Sequence, residues 1–151
     1  MNNKDLLSQI QQRHHDVQIK YTYFLLTASG AAIGYSIEKA YDEPLNGQLF
    51  FFFIAILFWS LSFFYGCKTL KKIQALLSAN HTLISLAVGN HENQPTTAEE
   101  FEAANKGTKN ALYINNQEAA KCDRYQFRLF VTGGGVFMIW RILGIFFKTV
   151  S

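Results

Sequence analysis

Arg141 stands inside an apolar run of this 151-residue chain, shortly after three consecutive glycines, Gly133-Gly134-Gly135. At helical spacing Gly134, Met138 and Arg141 share a face. A guanidinium on a glycine-bearing helix can stand beside an ion path, and ionisable groups within membrane segments mark such paths. Serial glycines admit close helix packing, a kink or a narrow pore wall. The same arginine, lying towards one end of its run, can instead extend its stem and reach lipid headgroups. Other chemistry is sparse. His14 and His15 are adjacent and point apart on a helix, while His81 and His91 are ten residues apart, so no metal set is expected. Glu99, Glu100 and Glu102 read as a solvated helix start favoured by the dipole. The chain holds no phosphate loop, GxSxG or HExxH pattern, and no paired carboxylates inside an apolar run. The expectation is a protein that is not an enzyme and takes no cofactor.

The elements that position Arg141 are apolar and long. Three runs dominate: Tyr21–Ile37, Leu49–Cys67 and Phe127–Phe147. A helix needs roughly 20 apolar residues to cross a bilayer. Only 17% of the residues are charged, below the usual quarter for soluble domains, and 15% are aromatic. The expected architecture is all-α and integral to a membrane, with one domain over residues 1–151. Its parts are an amphipathic arm (1–20), span one (21–41), span two (49–67), a cytoplasmic helical hairpin (68–126) and span three (127–147). The polar arm before the first run leaves too short an apolar stretch for a signal peptide, so this run is expected to stay in the mature protein.

Charge sets the expected orientation. Lys4, Arg13 and Lys20 lie in the arm, and most other basic residues lie between Lys68 and Arg128. The connector Asp42-Glu43-Pro44-Leu45-Asn46-Gly47 has none, and the tail after span three has only Lys148. The positive-inside rule places the N-terminus and the hairpin in the cytoplasm, and the connector and C-terminus outside. An interfacial or re-entrant third run would return the C-terminus to the cytoplasm. Cys67 and Cys122 form no CxxC and fall on the cytoplasmic side, where thiols stay reduced. The net charge of +3 is spread, without the dense basic stripe of a nucleic-acid binder.

Within these segments, Asn3 can cap a first helix whose face carries Leu6, Ile10, Val17, Tyr21 and Phe24. That face suits the membrane surface, a continuous entry into span one, or a partner helix. Gly30 and Gly34 form a GxxxG, which serves packing either within one copy or between copies. Span two is bulky, with Ala55, Ser62 and Gly66 on one smaller face expected to rest on span one. Beyond it, Leu70, Ile73, Leu77, Ile84 and Val88 continue at helical spacing as a candidate partner-docking face. Gly89-Asn90 should stop that helix, Thr97 and Glu100 form a capping box, and Gly107 is expected to end a short helix before another begins near Thr108. The returning helix offers Ala111, Leu112, Ile114, Ala119 and Tyr125 as cover for Leu70–Val88. That cover is thin and points to packing between copies.

The layout from Asn3 to about Val88 resembles the small membrane effectors of bacterial anti-phage systems, the SLATT-type and two-span effectors. Those combine an amphipathic N-terminal helix, a tight membrane hairpin and a cytoplasmic helical part; the third span departs from that layout. The resemblance implies depolarisation of a bacterial inner membrane, triggered by a cytoplasmic partner that the hairpin receives. Phage holins also permeabilise membranes with few spans. Taken together, these features read as a homo-oligomeric pore-forming or membrane-perturbing protein, with a non-conducting scaffold subunit as the alternative. Its partners would be membrane lipid, further copies and a cytoplasmic protein, not nucleic acid.

Overall fold

The computed structural model describes the backbone of residues 3–41 and 49–150, and the side chains of residues 13, 16–41 and 49–146. The capping role of Asn3, the first part of the arm's apolar face, the connector 42–47 and Lys148 lie outside these. Three helices account for nearly all of it: α1 (Asn3–Ala40), α2 (Leu49–Val88) and α3 (Ala98–Val150). Two of them, α2 and α3, are long and apolar enough to cross a membrane. The chain divides into two compact units, Met1–Cys67 with Asp123–Ser151, and Lys68–Cys122. The boundary falls inside α2 and α3.

Each helix buries one narrow stripe. On α2 a buried row runs through Phe52, Ala55, Trp59, Ser62, Gly66, Thr69, Ile73 and Leu76, alternately three and four residues apart, with Leu49 and Leu86 buried beyond its two ends. On α3 the same alternation runs through Ala119, Cys122, Gln126, Leu129, Gly133, Val136 and Trp140, with Leu129 and Val136 half-buried. On α1 it runs through Thr22, Leu25, Ser29, Ala32 and Ser36, with Ala32 half-buried. A 3.5-residue repeat keeps a seam facing its neighbours as in coiled coils. The stripe is narrow, so most of each apolar helix stays uncovered.

In the first unit, α2 runs antiparallel to α3 and α1 runs parallel to it. Ser62 meets Gln126 and Phe52 meets Trp140, while Thr22 meets Gln126 and Tyr35 meets Phe137. The small face of α2 is the buried one, as its residue sizes imply, and it lies against α3 as well as α1. Where α1 finishes and α2 starts, Leu49, Phe52 and Trp140 form a core, packed by Ala40, Phe51, Ile56 and Phe137.

The second unit is a helical hairpin. The end of α2 is a Schellman motif. Gly89 takes a φ of 79°, its N–H donates to Leu86 O at 3.3 Å, and Asn90 N–H donates to Ser85 O at 3.0 Å. Gln94 Nε2 also donates to Leu86 O. The start of α3 is the reciprocal box expected from its sequence. Glu100 N–H donates to Thr97 Oγ1 and Thr97 N–H donates to Glu100 Oε2, each at 3.2 Å. Thr96 adds its N–H and hydroxyl to the same carboxylate oxygen. These donors hold the Glu100 carboxyl below the usual carboxylate range, the Thr96 backbone N–H contributing most.

Gly107 does not end a helix. α3 continues through it to Val150. A lone glycine costs about 1 kcal/mol in a helix interior, which does not break a helix without a proline or a left-handed turn. Among the described residues the left-handed turn occurs at Gly89.

Candidate functional site

Polar groups converge in the first unit, where all three helices touch. Thr22, Ser29, Ser62 and Gln126 are each fully buried. Ser62 Oγ donates to Gln126 O at 2.8 Å, joining α2 to α3. Ser29 Oγ has one proton and two acceptors, Leu25 O at 2.8 Å and Ser62 Oγ at 3.3 Å. The shorter bond, within α1, is the stronger. Gln126 Nε2 reaches Thr22 O on α1 at a long 3.4 Å. Gly66 makes room for that amide: a Cβ there would stand 2.5 Å from Gln126 Nε2 and 2.8 Å from Leu26 Cδ2. One turn further along α3, Trp59 Nε1 donates to Phe130 O at 3.2 Å. Interhelical bonds of this kind are worth about 0.6 kcal/mol on average within membranes.

Two acceptors in this region have no partner, Gln126 Oε1 and Asp123 Oδ1. Both lie on α3 and are buried. An unsatisfied buried acceptor costs about 1–3 kcal/mol. The layer therefore fixes how the helices meet more than it stabilises them.

Sequence reasoning does not single out Thr22, Ser36 or Gln126. Thr22, Ser29 and Ser36 recur every seven residues on α1, and each hydroxyl donates to a carbonyl four residues back. That recurrence is the signal available in the sequence. Gln126 sits at the edge of an apolar run and reads there as a polar flank.

The glycine-and-arginine group is divided. Gly133 is buried, and a Cβ on it would come within 2.8 Å of the Trp59 indole. Gly134 and Gly135 have nothing within 4 Å of that position. Met138 is 68% exposed, and Arg141 is exposed with its guanidinium 5.6 Å from the Trp140 ring centroid. Arg141 thus faces away from the polar layer. Gly30 and Gly34 likewise have open space around them, so within one copy the GxxxG packs nothing. The buried face of α1 is the hydroxyl stripe beside it.

In the second unit the docking stripe splits. Ile73 is 2% exposed, buried like Leu76 and Leu86, and Leu70 is half-buried. These belong to the hairpin's own packing and are not free for a partner. Leu77, Ile84 and Val88 are exposed. The cover from α3 comes from Ala119 and Cys122, with Leu112 half-buried, and Lys72 Nζ donates to Asn115 Oδ1 at 3.3 Å. Ala111 and Ile114 are exposed and take no part in it. Tyr125 belongs to the first unit, tilted against Tyr65 with ring centroids 5.4 Å apart, as does Gln126, so the hairpin closes at Cys122. The difference follows from the 3.5-residue seam: α3 presents its narrow stripe of small residues, and the larger side chains between fall outside it.

Among the described residues no His, Cys, Asp and Glu cluster could hold a metal, and both cysteines are free thiols. No protein family, curated protein or solved structure matches the chain.

Proposed function

We propose that this chain is a three-span membrane protein, without enzymatic activity, that assembles from several copies and opens an ion-conducting path between them. One observation carries the reading: the small-residue motifs of α1 and α3 are left open by the fold of a single copy. Gly30, Gly34, Gly134 and Gly135 meet no neighbour, although glycines cost a helix stability and exist in membrane helices to admit close backbones. A second copy supplies the missing neighbour.

The membrane itself is supported by where the apolar surface lies. Of the most apolar window of α2 only 28% is buried, and of α3 only 11%. A water-soluble fold buries such windows, whereas lipid solvates them. On α1, Lys20 and Lys39 are 19 residues apart. At 1.5 Å per residue that is about 28 Å, close to the roughly 30 Å of a hydrocarbon core. α1 is less apolar than the other two, as suits a span whose neighbours shield its hydroxyls and glycines. The basic arm and hairpin unit lie in the cytoplasm, and the acidic connector and C-terminus lie outside. The resemblance to anti-phage membrane effectors sets this in a bacterial inner membrane, with depolarisation as the output and a cytoplasmic protein as the trigger.

Any path runs between copies, because Ala55, Ser62 and Gln126 fill the space among the three helices of one copy without exposed surface. Arg141 and Gly134, on the outer face of α3, then stand at the contact between copies. A second reading, a non-conducting scaffold, rests on exposed Leu77, Ile84 and Val88, which form an apolar row on α2. Planar-bilayer recording separates the two. The pore reading expects channel currents that Arg141→Gln and Gly134→Leu alter in size or ion preference, with Leu77→Asp and Ile84→Asp leaving the unit current unchanged. A silent bilayer, with partner capture lost in Leu77→Asp, supports the scaffold.

A further inference from the structure

One carboxyl of the first unit has no part in the pore reading. Asp123 Oδ1 is buried without a hydrogen-bond partner, and so is Gln126 Oε1, three residues on along α3. Residues at that spacing share a helix face, with Cβ atoms about 5–6 Å apart. Both side chains meet one turn of α1. The Gln126 amide reaches Thr22 O at 3.4 Å, and the Asp123 carboxylate lies within Coulombic reach of Tyr21, the residue before it. Thr22 answers neither oxygen, since its hydroxyl donates to Gln18 O at 2.9 Å. Turning the amide end for end would set Gln126 Oε1 against Thr22 O, acceptor against acceptor.

The surroundings of Asp123 are poor in charge. Among the described residues, the titratable group facing it from α1 is Tyr21. On α3 the positions a turn to either side are Ala119, Ala120, Gln126 and Phe127, the neighbouring Cys122 is a buried thiol, and Arg124 is exposed. Lys121 pairs with Glu118. On α2 the buried row that continues from Gly66 holds Thr69 and Ile73, while Lys68 and Lys71 are exposed. Burial pushes the Asp123 carboxyl above its ordinary 3.8. A proton satisfies both oxygens at once and needs no added room, because it turns an acceptor-only carboxylate into a donor. Asp123 as a whole is half-buried, which leaves its carboxyl in exchange with solvent.

We infer that Asp123 and Gln126 form a proton-binding site at the contact of α1 with α3, in which the protonated carboxyl donates to Gln126 Oε1. Loss of the proton leaves two acceptors facing each other. Acid therefore tightens this contact and rising pH loosens it. Between 3.8 and the raised value the folded chain holds a proton that the unfolded chain has lost, so stability falls as pH rises through that window. The site lies within one copy and stands whether or not copies assemble.

The test uses the full chain in detergent, native and Asp123→Asn, as pH rises from 3.8. Infrared difference spectra of the two show a protonated-carboxyl band that survives above the ordinary range in the native chain and is missing from the variant. In thermal unfolding the native midpoint falls relative to that of Asp123→Asn across the same window, because the asparagine keeps a donor for Gln126 Oε1 at every pH. The Glu100 box titrates in both chains and cancels in the comparison. Asp123→Leu offers no donor and unfolds at a lower temperature than Asp123→Asn. Glu102→Gln, on an exposed residue, keeps the native profile relative to Asp123→Asn. An ionised Asp123 throughout would mean that water or a turned amide satisfies it, and overturns the proposal. Asp123→Leu as stable as Asp123→Asn would overturn the bond to Gln126. Stabilisation by sodium ions that abolishes the pH dependence would assign the site to a metal cation and overturn the proton.

Discussion

Adjacent glycines in this chain do different work. Gly133 stands against Trp59, and a methyl group there would come within 2.8 Å of the indole, whose Nε1–H is committed to Phe130 O. Gly135, two residues on, faces open space. Gly133→Ala therefore loses about 1–3 kcal/mol by overpacking. Gly135→Ala gains up to about 1 kcal/mol of helix propensity in a single copy. Thermal unfolding in detergent that separates copies checks both, and equal shifts would contradict the packing described. From sequence the three glycines can only be taken together, because a run of identical residues carries no sign of which one meets a bulky partner. The polar layer is hidden for another reason. Ser29 and Ser62 read as members of small-residue faces, but the space for the buried Gln126 amide is left by Gly66 on another helix.

Helix ends are the most readable elements. A cap is a local contract: Thr97 and Glu100 need only each other, and Gly89 needs only its own left-handed φ. Gly107 shows where such reasoning fails, since a glycine marks a stop only when the chain turns left-handed at it. Thr97→Ala removes the acceptor for Glu100 N–H and costs about 1 kcal/mol, visible as faster amide exchange across the first turn of α3 with the rest unchanged. The same box is sensitive to acid. The Glu100 carboxyl titrates lower in the folded chain than its ordinary 4.5, so its contribution is complete above that pH and is lost as pH falls through the lowered value. Exchange at the first turn should rise below that pH in the native chain, and much less in Glu100→Gln. The docking stripe is narrower than its sequence pattern, because five apolar residues at helical spacing do not say which of two adjacent faces a partner helix takes. A single seam of 3.5-residue period takes Ile73 and leaves Leu77, Ile84 and Val88.

At the scale of the whole molecule, three helices share a narrow, partly polar seam and leave most of their apolar surface uncovered. On the proposed membrane reading, hydrophobic burial does not drive these helices together, and close backbones and interhelical bonds do so instead. Within one copy those contacts are the Ser62–Gln126 bond, the Trp59–Phe130 bond and the Gly66 and Gly133 approaches. For the proposed assembly of several copies, the open glycine faces of α1 and α3 are the surfaces left available. The sequence displays the apolar runs and the charge asymmetry because both are sums over many residues. It does not display which small-residue face is internal, because that depends on the register of three helices at once. The most direct measurement is the mass of the purified protein in nanodiscs, lipid and scaffold subtracted, for the native chain and for Gly30→Leu/Gly34→Leu. A discrete assembly of several copies is expected, reduced by the double substitution, since the leucines fill the contact without touching the core of one copy. A native chain that is a monomer would contradict it.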